Sequence, residues 1–442
     1  MTRIFLILYF IFIRSLLSGQ VVDSLHSNLI DPIRVDSIKI VGNDITQDFV
    51  IFEELTFNIG DEINLEVLEF NKERLYSLRI FTFVDIFVES ENNINIVTIK
   101  INEAWYIYPW PFIRLNHSSF KYASYGFYFR WKNFRGRNES IRVTVSLGYD
   151  PYYKIDYYNP YLLKNAGIYF SFHSAYQKFA NKSKNLANLY GHDLNYKIFS
   201  NYVSLGKRID KFNYLSTLFG FNYIQTDEPA IGGATASNTR IDRTPFVMLS
   251  YIYDSRDLVQ FPQYGFYGRM ALMHKGFNVN NIDYNILAIE FRKYWNFFDD
   301  FVLRGRGVFR KVFGPAIPLY DYSYLGYSEF VRGHSRDVRE GHNYIVSSIE
   351  LSYPIFKEWN FSLDLPLISE RITSARIGMY AYLFADTGMT FMNDDKLLLR
   401  DLYSGYGIGI NILFLPYSGI RIEYALDENK NGELIIGTDY SF

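Results

Sequence analysis

The sequence is 442 residues long with a formal net charge of −2, a balance that offers no extended basic surface for binding nucleic acid. Cysteine is absent, which excludes disulfides, thiolate metal sites, cysteine nucleophiles and an N-terminal lipoprotein anchor. Aromatic residues are abundant, with 39 tyrosines and 39 phenylalanines, as in membrane-spanning strands with aromatic girdles; a soluble aromatic-rich β-sandwich is the alternative.

Residues 1–19 predict a secretory signal peptide. Arg3 precedes an apolar run at 4–13, which small residues follow and which is too short to span a bilayer as a helix. Arg14 interrupts the pattern, so the cleavage position stays open. Later stretches lack the roughly eighteen continuous apolar residues of a membrane helix. A chain of this kind can enter a bilayer only as a closed barrel.

Residues 34–103 predict a small α+β domain. Leu65, Leu68, Leu75 and Leu78 recur at helical spacing, while the segments around them alternate as strands do. The predicted order is a strand at 33–40, a short helix after Thr46, a helix at 65–78 and strands at 83–88 and 94–101. This order of elements, together with Gly60-Asp61 before the second helix and the amino-acid sequence of 78–85, resembles a POTRA domain.

From Trp105 to the C-terminus the apolar pattern repeats every second residue. Tyr406, Ile408 and Ile410, for example, alternate with glycines, as expected when one face meets lipid and the other a wet lumen. The pattern predicts an all-β transmembrane barrel at 105–442. An even number of strands places both chain ends on the periplasmic side, and the alternative to the sixteen strands predicted here is fourteen. Sixteen antiparallel segments are predicted, starting near 105, 122, 140, 153, 166, 191, 212, 245, 265, 283, 301, 343, 375, 404, 419 and 434.

The C-terminal third contains sequence motifs that resemble those of the BamA/TamA superfamily. Val331-Arg332-Gly333-His334, in a long connection at 312–342, is similar to that family's Val-Arg-Gly-aromatic signature, with His334 in place of the aromatic residue. The phrases at 348–354 and 384–388 follow in the family's order. Those at 133–137, 159–161 and 253–257 resemble turns of the same family. One POTRA domain is expected, which favours an accessory or specialised member.

The resemblance implies that the long loop folds back into the barrel. An arginine fork held by two inward carboxylates gives bidentate, charge-assisted bonds in a partly dry space. The alternative is that each of these residues is an ordinary charge of the lumen. The implied anchor is Arg332, Gly333, Glu350, Asp386 and Gly388, with Val331 and His334 completing the loop motif.

A weak lateral seam is predicted between the first and last strands. Pro109 and Pro111 cannot donate ladder bonds and favour an edge, opposite Gly437 and Phe442 near the C-terminus; the alternative is that the prolines lie in a linker. A client strand could add at this edge. The POTRA strand would offer a second client-binding edge through Phe83, Val84, Asp85, Ile86 and Phe87.

The function implied by the resemblance is an assembly factor or insertase that folds or translocates client polypeptides at the bacterial outer membrane, with its POTRA domain in the periplasm. The expected partners are unfolded outer-membrane or secreted polypeptides, outer-membrane lipids and periplasmic or lipoprotein partners, and no nucleic acid. The alternatives are a dedicated secretion pore and a non-transporting barrel, either a scaffold or an enzyme. Because common catalytic and nucleotide-binding motifs are absent, we expect no enzyme activity, metal or cofactor.

Overall fold

The structure is a computed structural model that describes residues 32–115, 123–180, 183–192, 194–228, 232–297, 300–397 and 401–438. The predicted signal peptide at 1–19 and the terminal Phe442 lie outside these ranges. Within them, none of the helices combines the length and apolar character that a membrane crossing would need.

The N-terminal unit, residues 32–104, is a small α+β fold. Its three-stranded sheet has the order β2-β5-β4, and α1 and α2 share one apolar core with it. The Asn64 side chain caps α2 by accepting the Val67 N–H at 3.0 Å. The elements are β1 Ile33–Arg34, β2 Ser37–Val41, α1 Asp48–Phe52, β3 Glu62–Ile63, α2 Leu65–Ser77, β4 Phe81–Glu91 and β5 Ile94–Glu103.

Within the described residues, sixteen antiparallel strands form one continuous sheet and follow one another in chain order, apart from a short hairpin inserted before the twelfth strand. The predicted number of strands is confirmed, and no predicted start is more than four residues from the observed one. The strands are β6 Ile107–Leu115, β7 Ala123–Phe134, β8 Glu139–Gly148, β9 Tyr152–Leu163, β10 Ile168–Ala180, β11 Asn195–Arg208, β12 Asn213–Thr226, β13 Ile241–Asp254, β14 Gly265–Val279, β15 Ile282–Phe297, β16 Phe301–Phe313, β19 Asn343–Phe361, β20 Ala375–Phe391, β21 Tyr403–Leu415, β22 Ser418–Asp427 and β23 Gly432–Gly437. The inserted hairpin is β17 Ser323–Leu325 and β18 Arg339–Gly341, and the short helices α3 Lys184–Tyr190 and α4 Glu370–Thr373 lie in connections.

One face of the sheet is exposed and apolar. On β21, Tyr406, Ile408 and Ile410 are 47%, 58% and 41% exposed, and the residues between them are buried or small. Leu249 and Tyr251 on β13 repeat the arrangement. An apolar surface that continues from strand to strand is too large for a soluble monomer, so this face is the lipid-facing one.

The sheet is not closed. β6 pairs with β7 and β23 pairs with β22, and no pairing joins β6 to β23 within the described ranges. This differs from the closed barrel expected from the sequence. Pro109 and Pro111 provide a physical reason, since both lie inside β6 and neither can donate a ladder hydrogen bond.

The long connection between β16 and β19, residues 314–342, crosses the space that the curved sheet encloses. At one end, the Leu319 N–H donates to the Gly233 carbonyl in the β12–β13 connection at 2.9 Å. At the other end, Arg332 bonds side chains of β19, β20 and β22. We call this segment the lumen loop; it spans from one wall of the sheet to the other.

The N-terminal unit packs against one end of the sheet. A single apolar core continues from Val50 and Leu75 of the unit to Phe261, Tyr380 and Leu415 of the sheet and its turns. Hydrogen bonds, an ion pair and a cation–π contact reach six connections at this end; the contacting pairs are Gln47 with Gly136, Phe49 with Lys164, Glu53 with Lys211, Ser77 with Asp257, Asp44 with Arg371 and Arg79 with Tyr417. The unit therefore covers the end of the sheet where the first strand begins.

Candidate functional site

Arg332 lies at the centre of a buried ion network in the lumen loop. Its Nε and Nη2 donate to the two oxygens of Asp386 at 2.7 and 2.6 Å, and Nη1 donates to Glu350 Oε1 at 2.6 Å. The Arg332 backbone N–H also donates to Asp386, at 3.1 Å. The guanidinium stacks on Phe384, 3.8 Å from the ring centre, and Arg332 is 4% exposed. The structure thus brings together the three charged residues that the sequence singled out.

Glu423 on β22 is a third acid of this site and was missing from the sequence-predicted set. Its Oε1 accepts from Arg332 Nη1 at 2.8 Å and from the Tyr382 hydroxyl at 2.9 Å. The strand alternation signals only that Glu423 faces the lumen, which does not select it over other inward charges. We call Arg332, Glu350, Asp386 and Glu423 the Arg332 anchor.

Two further arginines balance the charge of the anchor. Arg304 lies 3.7 Å from Glu350 and Arg421 lies 3.0 Å from Glu423. Three guanidiniums therefore face three carboxylates in a space where Glu350 and Glu423 are 0% and 1% exposed. A buried network of equal opposite charges avoids the large cost of an isolated buried ion.

Glycines allow the loop to lie against the wall. A side chain at Gly388 would come within 2.9 Å of the Val331 side chain, and one at Gly405 would overlap the Arg332 carbonyl oxygen. Gly333 has a φ of +94°, a backbone conformation that favours glycine. Gly388 and Gly333 belong to the predicted set, whereas Gly405 does not.

His334 attaches the loop tip to the last hairpin of the sheet. Its ring packs edge-to-face on Tyr403 at 4.9 Å, and Nε2 lies 2.8 Å from Glu428 in the β22–β23 turn. The next residue, Ser335, donates its N–H to Glu433 of β23 at 3.2 Å. The loop tip therefore contacts the strand that borders the open edge.

A second attachment fixes the other end of the lumen loop, and the sequence reasoning missed it. Asp321 accepts from Lys275 Nζ of β14 at 2.7 Å and from the Tyr284 hydroxyl of β15. Tyr320 donates its hydroxyl to Asp242 of β13 at 2.8 Å. No local motif marks these residues. Each is an ordinary charged or polar residue of the lumen, and it contacts the loop only because the curvature of the sheet brings the two together.

The seam residues lie at the uncovered edge of β6. In an antiparallel ladder, alternate residues direct their N–H and C=O groups to the same neighbour. β6 pairs with β7 along its whole length, so Pro109 and Pro111 occupy positions whose N–H groups would point away from β7. The edge that faces β23 therefore lacks two donors. Gly437 ends β23, and Phe442 lies outside the described residues.

The predicted client-binding edge of the N-terminal unit is β4. This strand is at one side of its sheet, and its residues alternate between a buried face with Val84 and Ile86 and a less buried face with Phe83, Asp85 and Phe87. The Val84 N–H donates to the Tyr76 hydroxyl of α2 at 3.0 Å, so this edge amide has an internal partner.

Comparisons with known proteins place this geometry in context. The family model described as the Omp85 superfamily domain matches residues 133–433. The structure of BamA from Haemophilus ducreyi lacking POTRA domains 1-3 is 16% identical, with a TM-score of 0.52 over 92% of this chain and 83% of that one. CdiB from Escherichia coli is 12% identical, with a TM-score of 0.54 over 91% and 75%. These likenesses show a shared fold, and no curated protein matches the sequence.

Proposed function

Because this chain belongs to the Omp85 superfamily, we propose that it is a polypeptide insertase of the bacterial outer membrane whose clients enter at the uncovered edge of β6. The family match and the fold support an outer-membrane role in inserting or secreting polypeptides. The choice of insertion rests on the unpaired edge. A strand edge with free carbonyl groups is a template for another strand, and an extended client can add there.

Two further features favour lateral insertion over passage through the lumen. The lumen loop is attached to both walls, through Arg332 and through Asp321. The N-terminal unit also covers one end of the sheet. A polypeptide that crossed the lumen would have to break both attachments and displace the unit, whereas a strand at the β6 edge would break neither.

The N-terminal unit is proposed to lie in the periplasm and to deliver clients along β4. An extended polypeptide would pair with the outer edge of this strand, and Phe83 and Phe87 would contact its side chains. The Tyr76 hydroxyl reduces the pairing capacity of Val84, so binding along β4 would be weak and reversible. Weak binding suits a site that passes its client onward.

A dedicated secretion pore is the second candidate. The fold is about as similar to CdiB as to BamA, with TM-scores of 0.54 and 0.52, so the fold does not separate the two functions. A pore would require the lumen loop to leave the lumen. Surface display of one partner protein, together with conductance after loss of the Arg332 anchor, would support this candidate.

Reconstitution into liposomes tests the proposal. We expect the protein to accelerate folding of a second, urea-unfolded outer-membrane barrel. Because the chain has no cysteine, a pair introduced at 107–115 and 432–437 can lock the edge without background reactions. Oxidation should abolish the acceleration and reduction should restore it, while each single-cysteine chain serves as a control. Undiminished client folding by the locked protein would rule out entry at this edge.

A further inference from the structure

A cavity of about 580 Å³ lies at the uncovered edge of β6, beside α4 and the β21–β22 turn. Residues on both faces of β6 line it, because Tyr108 and Trp110 share a face with Arg130 and Tyr128, whereas Ile107 and Pro109 lie on the lipid-facing side. The cavity therefore opens around the strand edge toward the membrane. Its lining residues are Trp105, Ile107, Tyr108, Pro109, Trp110, Tyr128, Arg130, Lys132, Ile372 and Tyr417.

The charge of this cavity is positive and uncompensated by its own lining. Arg130 is the guanidinium among the ten lining residues, Lys132 is a second basic residue, and none of the ten is acidic. Within the described ranges, Arg130 forms no ion pair and its buried Nε has no hydrogen-bond partner. Lys132 is 5% exposed and donates to two backbone carbonyls, those of Arg79 at 3.2 Å and Pro416 at 3.4 Å.

On the adjacent strand, an arginine that faces the lumen has a carboxylate beside it. Arg142 of β8 is the direct cross-strand neighbour of Arg130, and it lies 3.6 Å from the Asp156 carboxylate. Two like charges directly opposite each other are destabilising, and an anion beside Arg130 would offset that repulsion. Arg130 is half-buried and, among the described residues, has no such acid beside it, so the cavity offers a place for an anionic ligand.

The position of the cavity identifies the kind of anion. Lys132 donates to the β21–β22 turn and to the N-terminal unit, so Lys132 and the neighbouring Arg130 lie toward the end of the sheet where the strands meet that unit. Trp105, which is 40% exposed, lies at the opening, as aromatic residues do at a membrane interface. A phosphate at headgroup depth would reach the Arg130 guanidinium, while the acyl chains of the lipid would lie against the apolar face outside β6.

We propose that this cavity binds the phosphate of an anionic phospholipid from the adjacent leaflet at the β6 edge. The lipid headgroup would occupy the place beside the first strand while no strand is paired there. A free phosphate lacks the acyl chains that the apolar border would hold, and a client carboxylate would have to enter between the two strands. The proposal concerns binding alone and does not depend on client insertion.

Native mass spectrometry of the full chain, released from nanodiscs of phosphatidylcholine with one-fifth phosphatidylglycerol, tests this site. We expect the native chain to retain one phosphatidylglycerol, and Arg130→Gln to reduce the retained fraction at least 5-fold. Arg130→Lys keeps the charge and should restore most of the retention. Lys207→Gln is the matched control, because Lys207 is an exposed cation of β11 near the end of the sheet that packs against the N-terminal unit. This variant should retain lipid as the native chain does.

Several outcomes would overturn the proposal. Equal loss in Lys207→Gln would mean that lipid binds by general surface charge. Displacement of the lipid by millimolar inorganic phosphate would indicate a simple anion site, and displacement only by a peptide with a free C-terminal carboxylate would assign the cavity to a polypeptide. Unchanged retention in Arg130→Gln, with heat-modifiable gel migration showing a folded barrel, would exclude the site directly.

Discussion

Arg332 of the lumen loop and Asp386 of β20 form a bidentate ion pair, with Nε and Nη2 of the guanidinium at 2.7 and 2.6 Å from the two carboxylate oxygens. The same carboxylate accepts the Arg332 backbone N–H at 3.1 Å, so it holds the loop by both side chain and main chain. This pair fixes the direction of the loop tip as well as its position, because a planar fork has one preferred orientation on a carboxylate.

Arg332→Ala should release the loop tip and destabilise the barrel. Removing one partner of a buried ion network typically costs about 3–5 kcal/mol, and here three carboxylates would lose their shared cation. We expect single-channel conductance in planar bilayers to rise and the temperature of heat modification to fall. Arg332→Lys should recover little of either, since an ammonium cannot form the two parallel bonds. Arg269→Ala, which removes a cation of β14 outside the anchor, should leave both measurements near native; a large effect there would mean that any lumen arginine matters equally.

Asp321→Asn should loosen the opposite end of the lumen loop without freeing its tip. The substitution removes the ion pair with Lys275 but leaves an oxygen that can accept from Tyr284. Hydrogen exchange should increase about 10-fold in residues 319–325 while 330–334 stay protected. Arg332→Ala should produce the reverse pattern. If either variant exposes the whole loop, the two attachments act as one unit.

Replacing both seam prolines by valine should strengthen the edge of β6. Valine supplies an N–H at each position and favours strands, so β6 can form two more ladder bonds with β23. We expect faster spontaneous disulfide formation between cysteines placed in β6 and β23, and client folding reduced several-fold. Pro262→Val, in the turn before β14, controls for general effects of proline removal. An unchanged crosslinking rate would show that the missing donors do not keep the edge open.

Docking of the N-terminal unit should weaken as the pH rises toward neutrality. Burial, and then repulsion from Glu73 of α2, raise the pKa of the Asp257 carboxyl to about 7 from an ordinary value of 3.8. The docked state therefore holds a proton that the free state releases, so its stabilisation is full below about pH 4 and is lost as the pH rises through 7. Protection factors, which correct for the faster intrinsic exchange at higher pH, should be larger at pH 5.5 than at pH 8 for residues 255–264 and for α2.

Asp257→Asn should remove this pH dependence, because the amide imitates the protonated acid and its oxygen can still accept from the Gln263 N–H. Asp210→Asn, at an exposed carboxylate in the β11–β12 turn, should leave the dependence intact. Protection factors in α2 that depend equally on pH in both variants would assign the effect to another group.

The sequence by itself determined the strands and their number. Alternation of apolar and polar residues is local, and each strand of a lipid-exposed sheet must repeat it, so sixteen segments could be counted without knowing how they pair. The two helices of the N-terminal unit followed from equally local signals, such as the leucine spacing of α2. The single strand predicted at 33–40 is divided into β1 and β2, and β3 was not predicted. Arg332, Glu350 and Asp386 came from their resemblance to a family signature, since no local rule distinguishes an anchoring charge from any other inward charge.

Only the tertiary structure decided which charges meet. Arg332 and Glu423 are 91 positions apart, and Lys275 and Asp321 are 46 apart, so their contacts depend on the curvature of the sheet and on the path of the loop. The open edge is also a property of the assembled sheet, because Pro109 and Pro111 matter only through the neighbour that their missing N–H groups would have faced. The docking of the N-terminal unit combines contacts to several separate connections of the sheet, and no segment alone encodes it. The apolar periodicity of a strand is encoded by neighbouring residues. These contacts instead join residues that are far apart in the sequence, and only the folded sheet brings them together.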